Sequence, residues 1–271
     1  MLKARALLIG LNYSNVAKET ALTGCINDVK NMKEFLQELM VDQDFNITVI
    51  TDEDPNMMDR VSWSGLYVNL LDLCIKSWSE DLDVAIFHYS GHGRQTASLS
   101  SGGYINSNAN TENDGLDEGI VPVDYAKYGI IRDDVLNAIF TRFNPKTRIL
   151  CIFDCCHSGS ILDLHYQWGL KGLWSDVHNE NENHEIPWII CLSAGRDIDV
   201  AGEVHKKIET GAFTTYLLDY FNKKGSDAHI IKMQKTINDN LGDAGYDQIH
   251  TVSSSRNIHV EDSIKSFLLY K

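Results

Sequence analysis

Short apolar runs rich in branched residues alternate along this chain with longer segments of helical period, and this alternation is the strongest constraint on the fold. It is typical of an α/β sheet with largely parallel strands, because crossover helices join such strands. The predicted strands are Arg5–Gly10, Ile47–Thr51, Val84–His88, Arg148–Phe153, Trp188–Ser193 and Gln248–Ser253. The predicted helices are Asn27–Met40, Met58–Ser79, Asp133–Thr141, Gly211–Lys223 and Ile231–Leu241.

Two segments interrupt the alternation. Residues 94–118, rich in Ser, Asn, Gly and Asp, predict a loop or hairpin beyond the third strand. Residues 171–187 predict a solvated linker that is too short to separate independent domains. A chain of 271 residues suits one well-buried domain, here with a larger part at 1–170 and a smaller part at 188–271.

Composition narrows the partners and the location. The net charge of −14 argues against a nucleic-acid partner and would favour encounter with basic peptides or divalent cations. No apolar run approaches the roughly 18–20 residues that span a bilayer, and the apolar stretch at the N-terminus is too short for a signal peptide. We therefore expect a cytosolic or nuclear protein, no membrane partner and no disulfide framework among its six cysteines.

Two predicted strands end in small and polar residues that carry reactive side chains. Val84–Gly93 ends in Tyr-Ser-Gly-His-Gly, and Ile149–Ser160 contains Asp-Cys-Cys-His-Ser-Gly. Because sites in open α/β sheets form at the carboxyl ends of strands, we expect His92 to face Cys156 as base and nucleophile. Gly93 and Cys156 would then offer backbone N–H groups to an oxyanion.

Other residues of the same segments compete for these roles. His88 and His157 are alternative bases, although His88 lies inside its strand and His157 directly follows the thiol, so its side chain points away from it in an extended chain. Cys155 is an alternative nucleophile. The spacing alone does not separate the two adjacent thiols.

These motifs resemble those of the metacaspases, in the caspase-like superfamily. The motifs that carry the resemblance are Gly24–Asp28, Tyr89–Gly93, Ile120–Asp124, Asp154–Gly159 and Gln248–Ser254. They occur in the order of the family pattern and together span nearly the whole chain. It implies a caspase-like α/β/α sandwich and a cysteine endopeptidase with His92 as base and Cys156, rather than Cys155, as nucleophile.

Two aspartates are candidates for substrate recognition, because a bound Arg or Lys side chain needs carboxylates aimed at it. Asp154 precedes Cys156 by two residues, and Asp28 follows the turn after the first strand, where it could instead cap its helix. The metacaspase resemblance implies that Asp28, Asp154 and Ser90 form an acidic pocket with Cys25 beside it. Cleavage after Arg or Lys is therefore expected, in contrast to caspases, which cut after Asp.

The stretch from Glu112 to Asp134 is rich in carboxylates, which are calcium ligands, but it lacks the spacing of an EF-hand. The resemblance implies an activating calcium ion with four aspartates as ligands. The positions that match the family pattern are Asp117, Asp133, Asp134 and Asp163.

The chain departs from the family pattern at Asp197–Glu203, where the usual D-x-Q-T-S-A-D segment is absent. No Pro- or Gln-rich segment precedes the first strand in this sequence, so a compact catalytic core that resembles the type I layout without its prodomain is expected. The resemblance also implies a monomer. Self-cleavage, if it occurs, is expected after a basic residue, with Lys171 as the first candidate. The competing hypotheses are a catalytically inactive scaffold and an Asp-specific caspase-like protease.

Overall fold

The structure is a computed structural model that describes residues 1–16, 18–54, 57–97, 116–169, 172–175, 185–195, 211–225, 228–246, 248–259 and 262–269. The strands are β1 (Lys3–Gly10), β2 (Asp44–Thr51), β3 (Val84–Ser90), β4 (Gly93–Ala97), β5 (Leu116–Ile120), β6 (Ile131–Arg132), β7 (Arg148–Asp154), β8 (Tyr166–Gly169), β9 (Gly172–Ser175), β10 (Trp188–Ser193) and β11 (Thr251–Ser254). The helices are α1 (Cys25–Leu39), α2 (Met58–Val61), α3 (Trp63–Ser79), α4 (Tyr125–Tyr128), α5 (Asp133–Phe140), α6 (Ala212–Lys224), α7 (Ile230–Asp243) and α8 (Ile264–Leu269).

Eight of the described strands form the central sheet, in the order β2-β1-β3-β7-β10-β11-β8-β9. The first five run parallel, and the last three join by antiparallel pairing. A second, small antiparallel sheet contains β4, β5 and β6. Strands from both parts of the chain thus belong to one central sheet.

Helices cover both faces of the central sheet, because the central parallel strands are apolar on both sides and bury both. Residues of α3 and α5 pack with Phe87, Tyr89 and Phe153 on one side, which we call the α3 face. Residues of α1, α6, α7 and α8 pack with Leu8, Ile86 and Ile152 on the other, the α1 face. The α/β sandwich with a largely parallel sheet is therefore confirmed.

The structure corrects several predicted elements. The helix predicted over Met58–Ser79 is divided at Ser62, whose extended backbone ends α2 and whose hydroxyl caps α3 by accepting from the Gly65 N–H. The linker predicted over 171–187 is wrong for residues 172–175, because β9 pairs with β8 as a hairpin at the sheet edge. The predicted loop or hairpin over 94–118 is a hairpin where the structure describes it, since β4 pairs with β5. The sequence reasoning also missed β6, β8, α4 and α8.

A helix that spans a bilayer needs about 20 mainly apolar residues. Within the described ranges, no helix is both long enough and apolar enough to span a membrane.

Candidate active site

The neighbouring strands β3 and β7 bring the two predicted catalytic segments together. Their parallel pairing ends with Ser90 opposite Asp154, so His92 and Cys156 each follow the last pair by two residues. The N–H of Gly91 also donates to the carbonyl of Asp154 at 3.3 Å, which continues the contact beyond the strands. The predicted pair therefore lies at the edge of the sheet that is formed by the carboxyl ends of the parallel strands.

Two glycines make this close approach sterically possible. A Cβ atom at residue 93 would overlap the carbonyl oxygen of Cys156 and lie 3.1 Å from the Cys155 sulfur. A Cβ atom at residue 91 would lie 2.6 Å from the Tyr89 hydroxyl. The tight contacts of both glycines are with the protein itself. The segment that carries His92 lies directly against the segment that carries Cys156.

The His92 ring is oriented by groups outside its own strand. Its Nε2 lies 2.7 Å from the carbonyl oxygen of Thr20, and a carbonyl only accepts, so Nε2 carries a proton. This leaves the lone pair on Nδ1. The ring also packs beside the Tyr13 ring, with centroids 4.7 Å apart. The Thr20 contact therefore assigns Nδ1 as the nitrogen that can accept a proton.

Two buried tyrosines hold the backbone of His92. The hydroxyl of Tyr13 accepts from the His92 N–H at 3.1 Å and donates to the carbonyl of Val121 at 2.6 Å. The hydroxyl of Tyr89 donates to the carbonyl of His92 at 2.8 Å. Both peptide groups of the residue are thus fixed, which limits how far the imidazole can move from the thiol.

The two adjacent thiols occupy different environments. Cys155 is buried, at 4 % exposure, whereas Cys156 is half-buried at the sheet edge. Burial raises the pKa of both thiols, and the charge of Asp154 raises that of Cys156 further. Cys156 is therefore a protonated thiol in the free protein at neutral pH, and its attack requires a base.

The alternative bases differ in their placement. His88 is fully buried in the middle of β3, so it does not reach the bond to be cut at the strand end. His157 follows the thiol in a left-handed backbone conformation, with φ of 49°, so the extended chain assumed for this residue is wrong.

The predicted acidic residues lie together on the α1 face beside Cys156. Asp28 is 0 % exposed and accepts from the Ser90 hydroxyl at 2.7 Å and from the Gly211 N–H at 2.7 Å. Asp154 is 8 % exposed and accepts from the N–H and the hydroxyl of Thr214, at 2.9 and 2.7 Å. A Cβ atom on Gly211 would lie 2.8 Å from Asp28 and would overlap Asp154, so Gly211 lies between the two carboxylates.

Each carboxylate is bound by the first turn of α6 rather than by its own element. The capping role considered for Asp28 does not account for its bonds, because α1 begins at Cys25 and the carboxylate of Asp28 faces Ser90 and Gly211. The positive end of the α6 dipole lies toward both carboxylates and partly balances them.

The electrostatics of the acidic pocket favour a bound cation. Burial and the charge of Asp154 raise the pKa of Asp28 to about 7, and burial raises the pKa of Asp154. Two carboxylates this close do not both ionise easily unless a positive charge lies between them. Cys25, at 6 % exposure, lies beside Ser90 and has a thiol pKa raised by burial.

A second acidic group lies at the small sheet. The carboxylate oxygens of Asp117, Asp133 and Asp134 lie within 4.8 Å of one another. Asp117 is 3 % exposed and Asp133 is 1 % exposed, and Arg132 donates to Asp117 at 2.9 Å. Asp163, the fourth predicted calcium ligand, is not part of this group in the described chain. The oxygen-only donor set fits a hard divalent cation such as calcium.

The loop that follows Cys156 is attached to the elements that carry this acidic group. The Ser160 hydroxyl donates to Glu118 at 2.8 Å, and the Gln95 side chain donates to the other Glu118 oxygen at 2.9 Å. The Asn137 side chain, from α5, donates to the carbonyl of Leu162 at 2.6 Å. The acidic group and the nucleophile loop are therefore mechanically connected through β5 and α5.

Two cavities lie at opposite edges of the sheet. One of about 170 Å³ lies beside His92 and is lined also by Tyr13, Thr20, Val121 and Tyr125. A larger one of about 610 Å³ lies beside Arg148 and Trp188, at the other ends of the parallel strands, and the candidate catalytic residues do not line it. The smaller cavity therefore lies beside the candidate base.

The predicted self-cleavage residue Lys171 and the divergent segment Asp197–Glu203 lie outside the described residues.

Sequence reasoning missed the residues that position the site: Thr20, Tyr13, Tyr89, Gly211 and Thr214. Tyr89 belongs to the Tyr-Ser-Gly-His-Gly segment, so its place in the sequence could have identified it as a residue that positions His92. The others lie far along the chain from the residues they contact, and no local pattern singles them out.

Comparison with known proteins agrees with this geometry. The sequence profile described as "Metacaspase, peptidase C14 domain" matches residues 4–165. "Metacaspase-1A" of Aspergillus niger is 38% identical over 181 residues, covering 66% of this chain and 42% of the relative. "Metacaspase-1A" of Aspergillus oryzae is 32% identical over 228 residues, covering 83% of this chain and 49% of the relative. The chain thus spans less than half the length of these relatives.

Solved structures show the same fold at low identity. A Geobacter sulfurreducens protein superposes with a TM-score of 0.63 at 19% identity, covering 97% of this chain and 98% of that one. The Drosophila initiator caspase Dronc superposes with a TM-score of 0.56 at 10% identity, covering 98% and 84%. With the matched profile and the paired His92 and Cys156 segments, these findings place the chain in the metacaspase family of caspase-like cysteine peptidases.

Proposed function

We propose that this protein is a cysteine endopeptidase that cleaves after Arg or Lys and is activated by calcium. The observation that carries the proposal is the buried pair Asp28 and Asp154, which stands beside the candidate nucleophile Cys156 at the same sheet edge. A pocket with two raised carboxyl pKa values gains most from a cationic side chain.

The chemistry follows from the positions of His92 and Cys156. Nδ1 of His92 takes the thiol proton while the Cys156 sulfur attacks the substrate carbonyl, which breaks the carbonyl π bond and forms a tetrahedral oxyanion. The backbone N–H groups of Gly93 and Cys156 are the proposed donors to that oxyanion. The C–N bond then breaks, and the imidazolium returns its proton to the leaving amine. Water, with His92 again as base, hydrolyses the resulting thioester.

Selectivity follows from charge. An Arg or Lys side chain would place its cation against Asp28 and Asp154 and favour the ionised form of both. An Asp side chain in the same place would meet two carboxylates, so we do not favour Asp specificity. The presence of both His92 and Cys156 likewise argues against an inactive scaffold.

For calcium, Asp117, Asp133 and Asp134 are the proposed ligands, and Asp163 stays a predicted fourth. When bound, calcium would supply a positive charge that neutralises the buried carboxylates and holds them together. Asp117 adjoins Glu118, which binds Ser160 in the nucleophile loop. Ordering of the acidic group would therefore be transmitted to the loop that follows Cys156 and stabilise the substrate groove.

One assay tests both parts of the proposal. Matched peptides that differ only in Arg, Lys or Asp before the cut bond are incubated with the wild type and with Cys156→Ala, in calcium and in excess chelator. We expect cleavage of the Arg and Lys peptides only, loss of cleavage in the variant, and a large decrease in chelator. Cleavage of the Asp peptide, or undiminished activity in chelator, would contradict the corresponding part.

We further propose a monomer located in the cytosol or nucleus. Light scattering of the purified chain and microscopy of a tagged copy would test these two statements.

A further inference from the structure

His88 is a buried polar side chain that the proposed chemistry does not use. It is 0 % exposed in the middle of β3, and neither ring nitrogen has a hydrogen-bond partner among the residues that the structure describes. Burial lowers the pKa of the imidazole to about 3, so the ring is neutral, with one N–H donor and one lone pair. A buried polar group without a partner is unfavourable and calls for an explanation.

The strand registers place His88 directly beneath the acidic pocket. Gly10, Ser90 and Asp154 are paired across β1, β3 and β7 and form one row at the sheet edge. The same pairings align Leu8, His88 and Ile152 two residues earlier. Rows two residues apart are separated by about 6.6 Å along the strands.

His88 lies on the same face of the sheet as the pocket. Residues two apart in a strand share a face, so His88 lies on the side of Ser90 and Asp154. Leu8, Ile86 and Ile152 pack on this α1 face, while Phe87 and Tyr89 pack on the opposite α3 face. The imidazole is thus the polar side chain in an otherwise apolar row below Asp28 and Asp154.

We propose that His88 forms the floor of the acidic pocket and accepts a hydrogen bond from the guanidinium of a bound substrate arginine. This inference rests on the proposed cleavage after basic residues and adds a preference within them. Asp154 in the upper row and Asp28, which α1 places against Ser90 of that row, would balance the charge of the guanidinium. The lone pair of His88 supplies an acceptor for a donor that reaches deeper.

The arrangement distinguishes arginine from lysine. A guanidinium has five N–H donors in a planar fork, extends further from the backbone than an ammonium group, and can contact two carboxylates and a third acceptor together. An ammonium has three donors, which Asp28, Asp154 and Ser90 can satisfy without the floor. His88 therefore contributes to the recognition of arginine more than to that of lysine.

The test is the ratio of kcat/KM for two peptides that differ only in Arg or Lys before the cut bond. In His88→Phe we expect this Arg-to-Lys ratio to fall about tenfold, which is the loss of one hydrogen bond to a charged group. Both rates are measured on one preparation, so the ratio does not depend on the fraction that is folded. His88→Gln keeps an acceptor and should retain part of the preference.

A matched control removes a different buried histidine. His250 is also fully buried, with Nδ1 2.9 Å from the Ser193 carbonyl and Nε2 without a partner in the described chain. It lies near β10 and β11, outside the pocket rows, and its ring packs beside that of Phe213 in α6, with centroids 4.7 Å apart. His250→Phe keeps an aromatic ring at this contact, so it should leave the ratio unchanged. An unchanged ratio in His88→Phe would overturn the inference and leave the proposed function intact. If the wild type cleaves neither peptide, the proposed function itself is wrong.

Discussion

Ser90 and Asp154 are paired residues at the ends of two neighbouring parallel strands, β3 and β7. This pairing aligns the two motifs beyond it, so that His92 and Cys156 follow at the same distance from the last pair. It also brings two walls of the acidic pocket together, because Ser90 binds Asp28 and Asp154 binds Thr214. One strand register therefore positions both the chemistry and the proposed selectivity.

The different burial of the two adjacent thiols gives the first prediction. Cys156→Ala should lower kcat by at least about a thousandfold, because it removes the nucleophile. Cys155→Ala should keep most of the activity and lose about 1 kcal/mol of stability, because Cys155 is buried in the core. Peptide hydrolysis and urea unfolding measure the two effects. Loss of hydrolysis in a folded Cys155→Ala protein would contradict the assignment.

Gly93 gives the second prediction. In Gly93→Ala the new methyl group overlaps the Cys156 carbonyl, so the two catalytic segments must separate. We expect kcat/KM to fall about a hundredfold, since small displacements of reacting groups have effects of this size. Gly242→Ala in α7 is the matched control, because its methyl group would meet no atom within 4 Å. It should keep full activity and gain up to about 1 kcal/mol of stability.

The raised pKa of Asp28 predicts how stability depends on pH. Its value of about 7 in the folded protein exceeds the reference value of 3.8, so the folded state binds the proton more tightly. The associated stability is complete below about pH 3.8 and is lost as the pH rises through about 7. Between these limits the slope from this group approaches about 1.4 kcal/mol per pH unit.

Asp28→Asn removes this titration and keeps an oxygen that can accept from Gly211. The stability of the variant relative to the wild type should therefore increase as the pH rises from about 5 to about 8. Urea unfolding at several pH values measures the difference. A difference that stays constant over this range would be inconsistent with a raised pKa.

The same carboxyl groups predict pH-dependent recognition of substrate. A bound arginine favours the ionised form of Asp28, so the affinity for an Arg peptide should rise with pH through about 7. Calorimetry with Cys156→Ala measures binding without hydrolysis. Proton release should accompany binding below about pH 7, and an affinity independent of pH would contradict a role for Asp28 in the pocket.

The acidic group at the small sheet gives the last prediction. Calcium at about a hundred times its dissociation constant should raise the Tm by about 5 °C or more, because it binds the folded state alone. Asp133→Asn should abolish this rise. Asp72→Asn is the control, because Asp72 lies on the surface of α3 in an ion pair with Lys76 and is not part of the group. An equal rise in Asp133→Asn would place calcium elsewhere.

The sequence by itself determined six of the eight described strands of the central sheet and the reactive residues at the ends of two of them. The central parallel strands β3, β7 and β10 are buried on both faces, so each is a nearly continuous apolar run, and the motifs that follow are local. The hairpin of β8 and β9 was missed because these short strands have no such run, and their place depends on the edge offered by β11.

Only the tertiary structure decided how those residues are oriented. The tautomer of His92 depends on the carbonyl of Thr20, 72 residues away, and Asp28 is bound by Gly211, 183 residues away. Such contacts depend on how loops and helices pack over the finished sheet. A local pattern encodes the burial of a segment, but it does not encode which distant backbone group will meet it.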